Sequence, residues 1–565
     1  MRGRIPRRGA ALPALFLLLP LLFAPPAAAQ YDEAPPPAAW ALENVTVVQA
    51  DGTRAEGMTL VVRGGLIETL SAGAEVPGDA RTIAWDEGTL HVYPGIVDAH
   101  GSLDLSLPTP DRDGVESWSP TREVQFFTPH RVAAHYLTTN GEGLAAHRRR
   151  GMVASVIYPG RGVMPGQPSL ILHRPDARTA RELVLRPSVG VAMAFQGAQG
   201  AYPGTLMAQH AFIRQSFLDA EHDAARRAAF ESDARGLAMD PWDPDMEWVQ
   251  RMAAGEVPVL FRADGAEEIR RVLSLSDELG FSPVIVGGSG AGVVAEELRD
   301  RGVPVLLSAT LPTPSDWDLE ADEGEELTPA AFRERARLEP IFRTAGLLAE
   351  HGVTFALTSG GDGAVDLLAG VRRAIEFGLD PDDALRALTV WPAEFLGVPQ
   401  LSRLEEGMAA TFMVTDRPLF DEGASVNWTF VNGFAEKGAD PRTPGEVAED
   451  EDEPTDPGGI LGRWEGSLTV QGQQLPLQLE LVMDGEELGG TMTQMGGPST
   501  SLQNVSLDGN TLSWSISIPE MGGAQANFTG TVAGERMTGT GSIDSPDGSF
   551  NFNFELRQLP GGDHR

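Results

Sequence analysis

A chain of 565 residues with 42 % hydrophobic content has material for two or three packed cores. It contains no cysteine, which excludes disulfides, thiolate metal ligands and cysteine nucleophiles together, so any metal would rest on histidine and carboxylate ligands. Its 80 acidic and 43 basic residues give a formal net charge of −37, a balance that repels phosphate backbones and anionic lipid and removes nucleic acid from the expected partners.

The chain opens with Arg2, Arg4, Arg7 and Arg8, an apolar run from Ala10 to Phe23 broken by Pro13 and Pro20, and Ala27-Ala28-Ala29. That order reads as a secretory signal peptide over residues 1–29, hence an exported protein, periplasmic or extracellular, with no membrane span. Residues 30–92 carry short strands at Val45 to Val48, Thr59 to Val62 and Leu66-Ile67, with turns at Asp51-Gly52 and Gly64-Gly65, which read as the first part of a β-module. Over 93–394 the pattern changes. Apolar strands at Met152 to Ile157, Val257 to Phe261, Pro283 to Val286, Val303 to Leu307 and Val353 to Leu357 alternate with helical stretches such as Ala266 to Leu279, which Gly280 ends. Such strands are buried on both faces, and the helices between them imply parallel crossovers. The class is α/β: a (β/α)8 TIM-like barrel, with a doubly wound open sheet as its rival.

After a helix at Pro381 to Thr389, residues 395–440 return to strand character, with a hairpin turn at Asn432-Gly433. Residues 441–459, rich in Pro, Gly, Asp and Glu, read as an acidic linker. Over 460–560 apolar residues alternate strictly, as in Leu475, Leu477, Leu479 and Leu481, and in Leu512, Trp514, Ile516 and Ile518. This period predicts a small antiparallel β-barrel with a filled core, and its opening Gly462-Arg463-Trp464-Glu465-Gly466 resembles the start of lipocalin-like barrels.

The strand Tyr93-Pro94-Gly95-Ile96-Val97-Asp98 runs into Ala99-His100-Gly101-Ser102. Together with Ala384-Leu385-Arg386-Ala387-Leu388-Thr389 and Pro392-Ala393 it resembles the amidohydrolase superfamily, and the likeness extends over Trp40 to Lys437. Tyr202 to Met207, leading into Ile213 to Ser216, is similar to a segment of its exported imidazolonepropionase-like members. The resemblance implies a barrel flanked by a β-sandwich module split between 30–92 and 395–440. It also implies hydrolysis of non-peptide C–N bonds in small amides, with a divalent metal such as zinc as family precedent. Such a metal takes His-x-His from the first strand, histidines from the fifth and sixth, a bridging carboxylated lysine or glutamate, and an aspartate after the eighth.

This chain departs from that pattern at several positions. His100 matches the first histidine, but Ser102 stands at the second, Arg262 at the fifth strand and Gly287 at the end of the sixth. Lys437, the only lysine, lies outside the barrel, and Asp362 is displaced from the family aspartate. Two unit charges about 4 Å apart at an effective dielectric near 20 interact by roughly 4 kcal/mol, and a divalent ion doubles this. A guanidinium cannot shed its proton to escape such a conflict.

No metal ligands are therefore assigned. Asp362 is assigned the catalytic proton role, and His100, Ser102, Arg262 and Asp264 are assigned to binding, with Arg262 expected to pair with Asp362 or Asp264. His130 and His135, read as helical, are an alternative donor set beside His100, and the Gly-rich loop Tyr158 to Gln167 offers backbone amides to an anionic or carbonyl group. Two functions stay open: an amide hydrolase, and a metal-free pseudoenzyme that binds a small-molecule ligand or an active family relative.

Overall fold

The computed structural model describes residues 39–438 apart from 84, 86–87, 139–140, 198–199, 237, 239–240, 312–328 and 362–366. It also describes residues 460–558 apart from 471–472, 485–486, 495–498, 509–510, 519–523, 534–535 and 546–547. The expected signal peptide at 1–29, the linker at 441–459 and Asp362 lie outside the described residues. The chain divides into two compact units, Met1–Gly445 and Glu446–Arg565.

The first unit begins with β1 (Ala39–Val48), β2 (Arg54–Arg63), β3 (Leu66–Ala72), β4 (Ala80–Ile83) and β5 (His91–Pro94). Gly64 and Gly65, with φ of +58° and +84°, make the β2–β3 turn in a left-handed conformation that suits glycine. The chain then forms β6 (Ile96–Asp98), β7 (Met152–Ile157), β8 (Ser169–Leu172), β9 (Val184–Arg186), β10 (Val191–Ala194), β11 (Pro258–Ala263), β12 (Ser282–Gly287), β13 (Val305–Ser308) and β14 (Phe355–Thr358). Finally β15 (Phe412–Thr415), β16 (Val426–Val431) and β17 (Phe434–Lys437) return to the first sheet, in the order β17-β16-β15-β5-β1-β2-β3 with β4 on β1. Its core includes Trp40, Leu42, Leu60, Phe412 and Phe430, the last two stacked at 4.5 Å.

β10 to β14 form one parallel sheet, and β6 pairs parallel with β7. Alternation along these strands sorts side chains between two cores. Val259, Phe261, Ile285, Val305 and Phe355 pack in the cluster that includes the surrounding helices, whereas Leu260, Val284, Val286, Leu306 and Ala356 share an inner cluster with Val97 and Ala154. The helix Ala266–Leu279 ends at Gly280 with φ of +81°. Asp243 and Asp380 cap the helices Pro244–Ala253 and Pro381–Leu388 by accepting from their first-turn amides.

The described residues do not form the closed eight-stranded ladder expected over 93–394. β7 is followed by an antiparallel excursion through β8 and β9, and β10 is bridged on its free side by the segment 163–167. That segment touches β10 only through isolated bonds, Ala192 N–H to the Gly166 carbonyl at 2.8 Å and Ala194 N–H to the Val163 carbonyl at 3.1 Å. At the other seam β6 and β14 join through the Asp98 carboxylate and through Gly361 N–H donating to the His100 carbonyl at 2.7 Å.

The second unit consists of β18 (Gly462–Val470), β19 (Gln473–Asp484), β20 (Glu487–Gln494), β21 (Ser499–Ser501), β22 (Gln503–Asp508), β23 (Thr511–Ile518), β24 (Ala524–Ala533), β25 (Arg536–Ser545) and β26 (Gly548–Gln558). They form one antiparallel sheet in the order β21-β20-β19-β18-β26-β25-β24-β23-β22. Among the described residues no ladder joins the end strands β21 and β22, which follow one another in the chain with Leu502 alone between them, β21 pairing with β20 and β22 with β23. Leu502 N–H, between those end strands, donates to the Gly490 carbonyl at 3.0 Å. Trp464, Leu479, Trp514, Phe528 and Phe554 fill its core, with Trp514 stacked on Phe528 at 5.0 Å. No helix among the described residues is long and apolar enough to cross a membrane.

Candidate functional site

A cavity of about 180 Å³ opens at the C-terminal ends of the parallel strands. His100 and Ser102 follow β6, Tyr158 to Gly162 follow β7, and Arg262 stands near the end of β11, with Gly360 and Gly361 after β14. Arg262 shares the strand face of Leu260, so alternation carries its side chain from the inner core into this mouth. Among the described residues neither Arg262 nor Arg161 makes a side-chain hydrogen bond or ion pair.

The wall holding His100 is built from a buried carboxylate. Asp98 accepts from His100 N–H at 3.1 Å and Ser359 N–H at 3.2 Å through Oδ1, and from the Ser359 hydroxyl at 2.6 Å through Oδ2. Burial pushes the Asp98 carboxyl above the usual carboxylate range, and these hydrogen bonds oppose the shift. Tyr158 meets the His100 ring edge-on at 4.5 Å, and its hydroxyl donates to the Ala99 carbonyl at 3.3 Å. Burial, with the Asp98 charge nearby, raises the Tyr158 phenol and keeps it protonated. The His100 imidazole is pushed down to about 3, first by burial and then by the Arg262 and Arg161 charges, and is neutral at ordinary pH. Among the described residues its Nδ1 is buried without a hydrogen-bond partner.

Gly361 closes over the other side of the ring. Its φ is +79°, and a Cβ there would come within 3.0 Å of His100 Nε2. Gly361→Ala is therefore expected to cost about 1–2 kcal/mol for the left-handed backbone alone. Urea denaturation will register this loss, and tryptophan-monitored ligand titration will register the displaced imidazole.

Asp264 is not brought into this cavity. It lies past the end of β11 in the turn before Ala266–Leu279, where its N–H donates to Glu268 at 2.9 Å, and it borders a separate cavity with Leu307 and Phe342. The expected Arg262–Asp264 pair does not form. The Asp264 carboxylate instead faces Gly287, where φ is +100° and any Cβ would collide with it. His130 sits in a turn rather than a helix and contacts Asp245 in a surface groove with Arg122 and Asp243, while His135 lies in the single-turn 3-10 helix Ala133–Tyr136. Neither lines the cavity around His100. Sequence reasoning did not single out Ser359 or Arg161; the available signals were the hydroxyl after β14 and the charge inside the Gly-rich loop.

These residues do not fit the divalent ion that the family precedent implies. Among the described residues no three His, Asp or Glu side chains converge as ligands. The Asp98 oxygens are already engaged by three donors, and two guanidiniums border the surviving histidine.

Residues 303–435 match the amidohydrolase family. The adenine deaminase of Methanothermobacter thermautotrophicus is 32% identical over 176 residues, a match covering 27% of this chain and 32% of that protein, so the chain spans about a third of that relative's length. The solved structure of an amidohydrolase from Thermotoga maritima MSB8 is similar with a TM-score of 0.53 at 23% identity, covering 70% of this chain and 98% of that one. This likeness shows the fold, an α/β architecture of the (β/α)8 barrel type. The family match thus covers residues 303–435, and the likeness of fold covers 70% of the chain.

Proposed function

We propose that this chain is an exported amidohydrolase-family protein that binds a small molecule in the His100 cavity without a resident divalent ion. The observation that carries the reading is Arg262 at the end of β11, entering the cavity with no carboxylate partner among the described residues. A fixed positive charge at that point opposes a dication by several kcal/mol at an effective dielectric near 20. Tyr158, Gly361 and the Asp98–Ser359 seam hold the imidazole in one orientation. Elemental analysis of the purified, dialysed protein is expected to find substoichiometric zinc, manganese, iron and nickel. A stoichiometric divalent ion whose removal abolishes function would sink the reading.

A second reading, a hydrolase of non-peptide C–N bonds in small amides, is favoured by the amidohydrolase match over 303–435. In that case Asp362 takes and returns the proton at the scissile amide. A panel of small cyclic and linear amides decides between them. Turnover that disappears in Asp362→Asn supports the hydrolase, and none with retained ligand binding supports the binding protein. Export is tested by the mass of the protein recovered outside the cytoplasm, expected to lack residues 1–29.

A further inference from the structure

The charge lining the His100 cavity is opposite in sign to the charge of the chain. Acidic residues outnumber basic ones 80 to 43 overall, yet the described lining has Arg161 and Arg262 and no Asp or Glu. The two arginines come from separate elements, the loop after β7 and the end of β11, and neither is neutralised by another described side chain. In a protein this rich in carboxylates, surface arginines are routinely paired, as Arg63 is with Asp79 and Arg214 with Glu278. Beside Arg161, the N–H groups of Gly160, Arg161 and Gly162 donate to no protein acceptor among the described residues. The floor is apolar, with Leu260, Val286 and Ala192, so it suits the body of an organic molecule rather than a bare inorganic ion.

We propose that the cavity binds a small organic anion, its carboxylate held by Arg262 and Arg161 and its apolar body seated on Leu260, Val286 and Ala192. A planar guanidinium matches a carboxylate in two parallel N–H···O bonds, and low-dielectric walls strengthen each of them. The surrounding acidic surface discourages non-specific anion binding, so selectivity arises inside the cavity. The inference rests on the metal-free reading above.

The test is calorimetric titration of the full chain at low salt with N-acetylglycine, with its neutral amide N-acetylglycinamide, and with inorganic phosphate, each with and without EDTA. N-acetylglycine is expected to bind in EDTA, about tenfold or more tighter than the amide, the range of a charge-assisted hydrogen-bond pair. Arg262→Ala and Arg161→Ala should each weaken it by a similar factor, and R262K should recover only part, because an ammonium lacks the fork. Arg161 lies on a loop and among the described residues neither arginine supports an internal ion pair, so the two variants check one another if one folds poorly. Equal affinity for acid and amide, indifference to both arginine variants, or tighter binding of phosphate would overturn the proposal. Acid binding abolished by EDTA and unaffected by Arg262→Ala would instead overturn the metal-free reading beneath it.

Discussion

Asp98→Ala is expected to lower the unfolding free energy of the first unit by about 3–5 kcal/mol, enough to approach the whole stability of an ordinary domain. Asp98 is fully buried and serves three donors, the His100 and Ser359 amides and the Ser359 hydroxyl. Alanine leaves the two amides without an acceptor, each buried orphan costing about 1–3 kcal/mol, while the Ser359 hydroxyl keeps only its longer bond to the His100 carbonyl at 3.1 Å. The loss falls on a seam, because β6 and β14 share no ladder and meet through this carboxylate and the Gly361–His100 backbone bond. Asp98→Asn should cost much less: its carbonyl oxygen keeps the two amides, the Ser359 oxygen can turn to accept, and the neutral side chain escapes the desolvation that raises the acid. Urea titrations of the two variants check this, and equal losses for alanine and asparagine would refute the hydrogen-bond account.

Acidification should destabilise the same unit between about pH 6.5 and 3, by up to about 5 kcal/mol near pH 4.5. His173 is fully buried, with its imidazole pushed down to about 3 by burial, then by His147, whose ring lies 5.2 Å away, and by Arg148; the His100 imidazole falls as far. The unfolded chain therefore binds these two protons first, so stability is intact above pH 6.5 and drains as pH falls, by about 1.4 kcal/mol per pH unit for each histidine. Asp98 acts in the opposite sense. Its raised acid takes up a proton in the native state before an unfolded aspartate would, which returns part of the loss above pH 3.8. Glu436 holds the Arg148 guanidinium beside His173 at 2.7 Å, and the Arg148 Nη1 donates to the His173 carbonyl at 3.2 Å. In His173→Gln the pH slope of the urea midpoint should shrink by about one proton. An unchanged slope would show that this imidazole does not drive the transition.

Much of this fold was legible in chain order because its strands and stops are local. Val259-Leu260-Phe261 reads as a strand buried on both faces, and Gly280 ends its helix in the expected left-handed cap. The Asn432-Gly433 turn joins β16 to β17, with φ of +50° and +81° at its two residues. The antiparallel pair β8 and β9 and the extended 163–167 segment were not legible, because an apolar run such as Leu170-Ile171-Leu172 carries no mark of its direction or partner. At the site, His100, Ser102 and Arg262 meet in one cavity, as strand-end positions in this architecture should. Asp264 escaped the same reasoning because it lies one residue beyond the strand, where alternation no longer sets side-chain direction.

The close approach of Asp264 to Gly287 limits what can stand at position 287. A histidine at 287 would have to occupy the space of a carboxylate and adopt a left-handed backbone that glycine alone takes easily. Asp264 must move first, and its own placement is tied to the start of the following helix through Glu268. A histidine placed at 287 alone is therefore expected to cost stability, and only a paired change at Asp264 would make room for it.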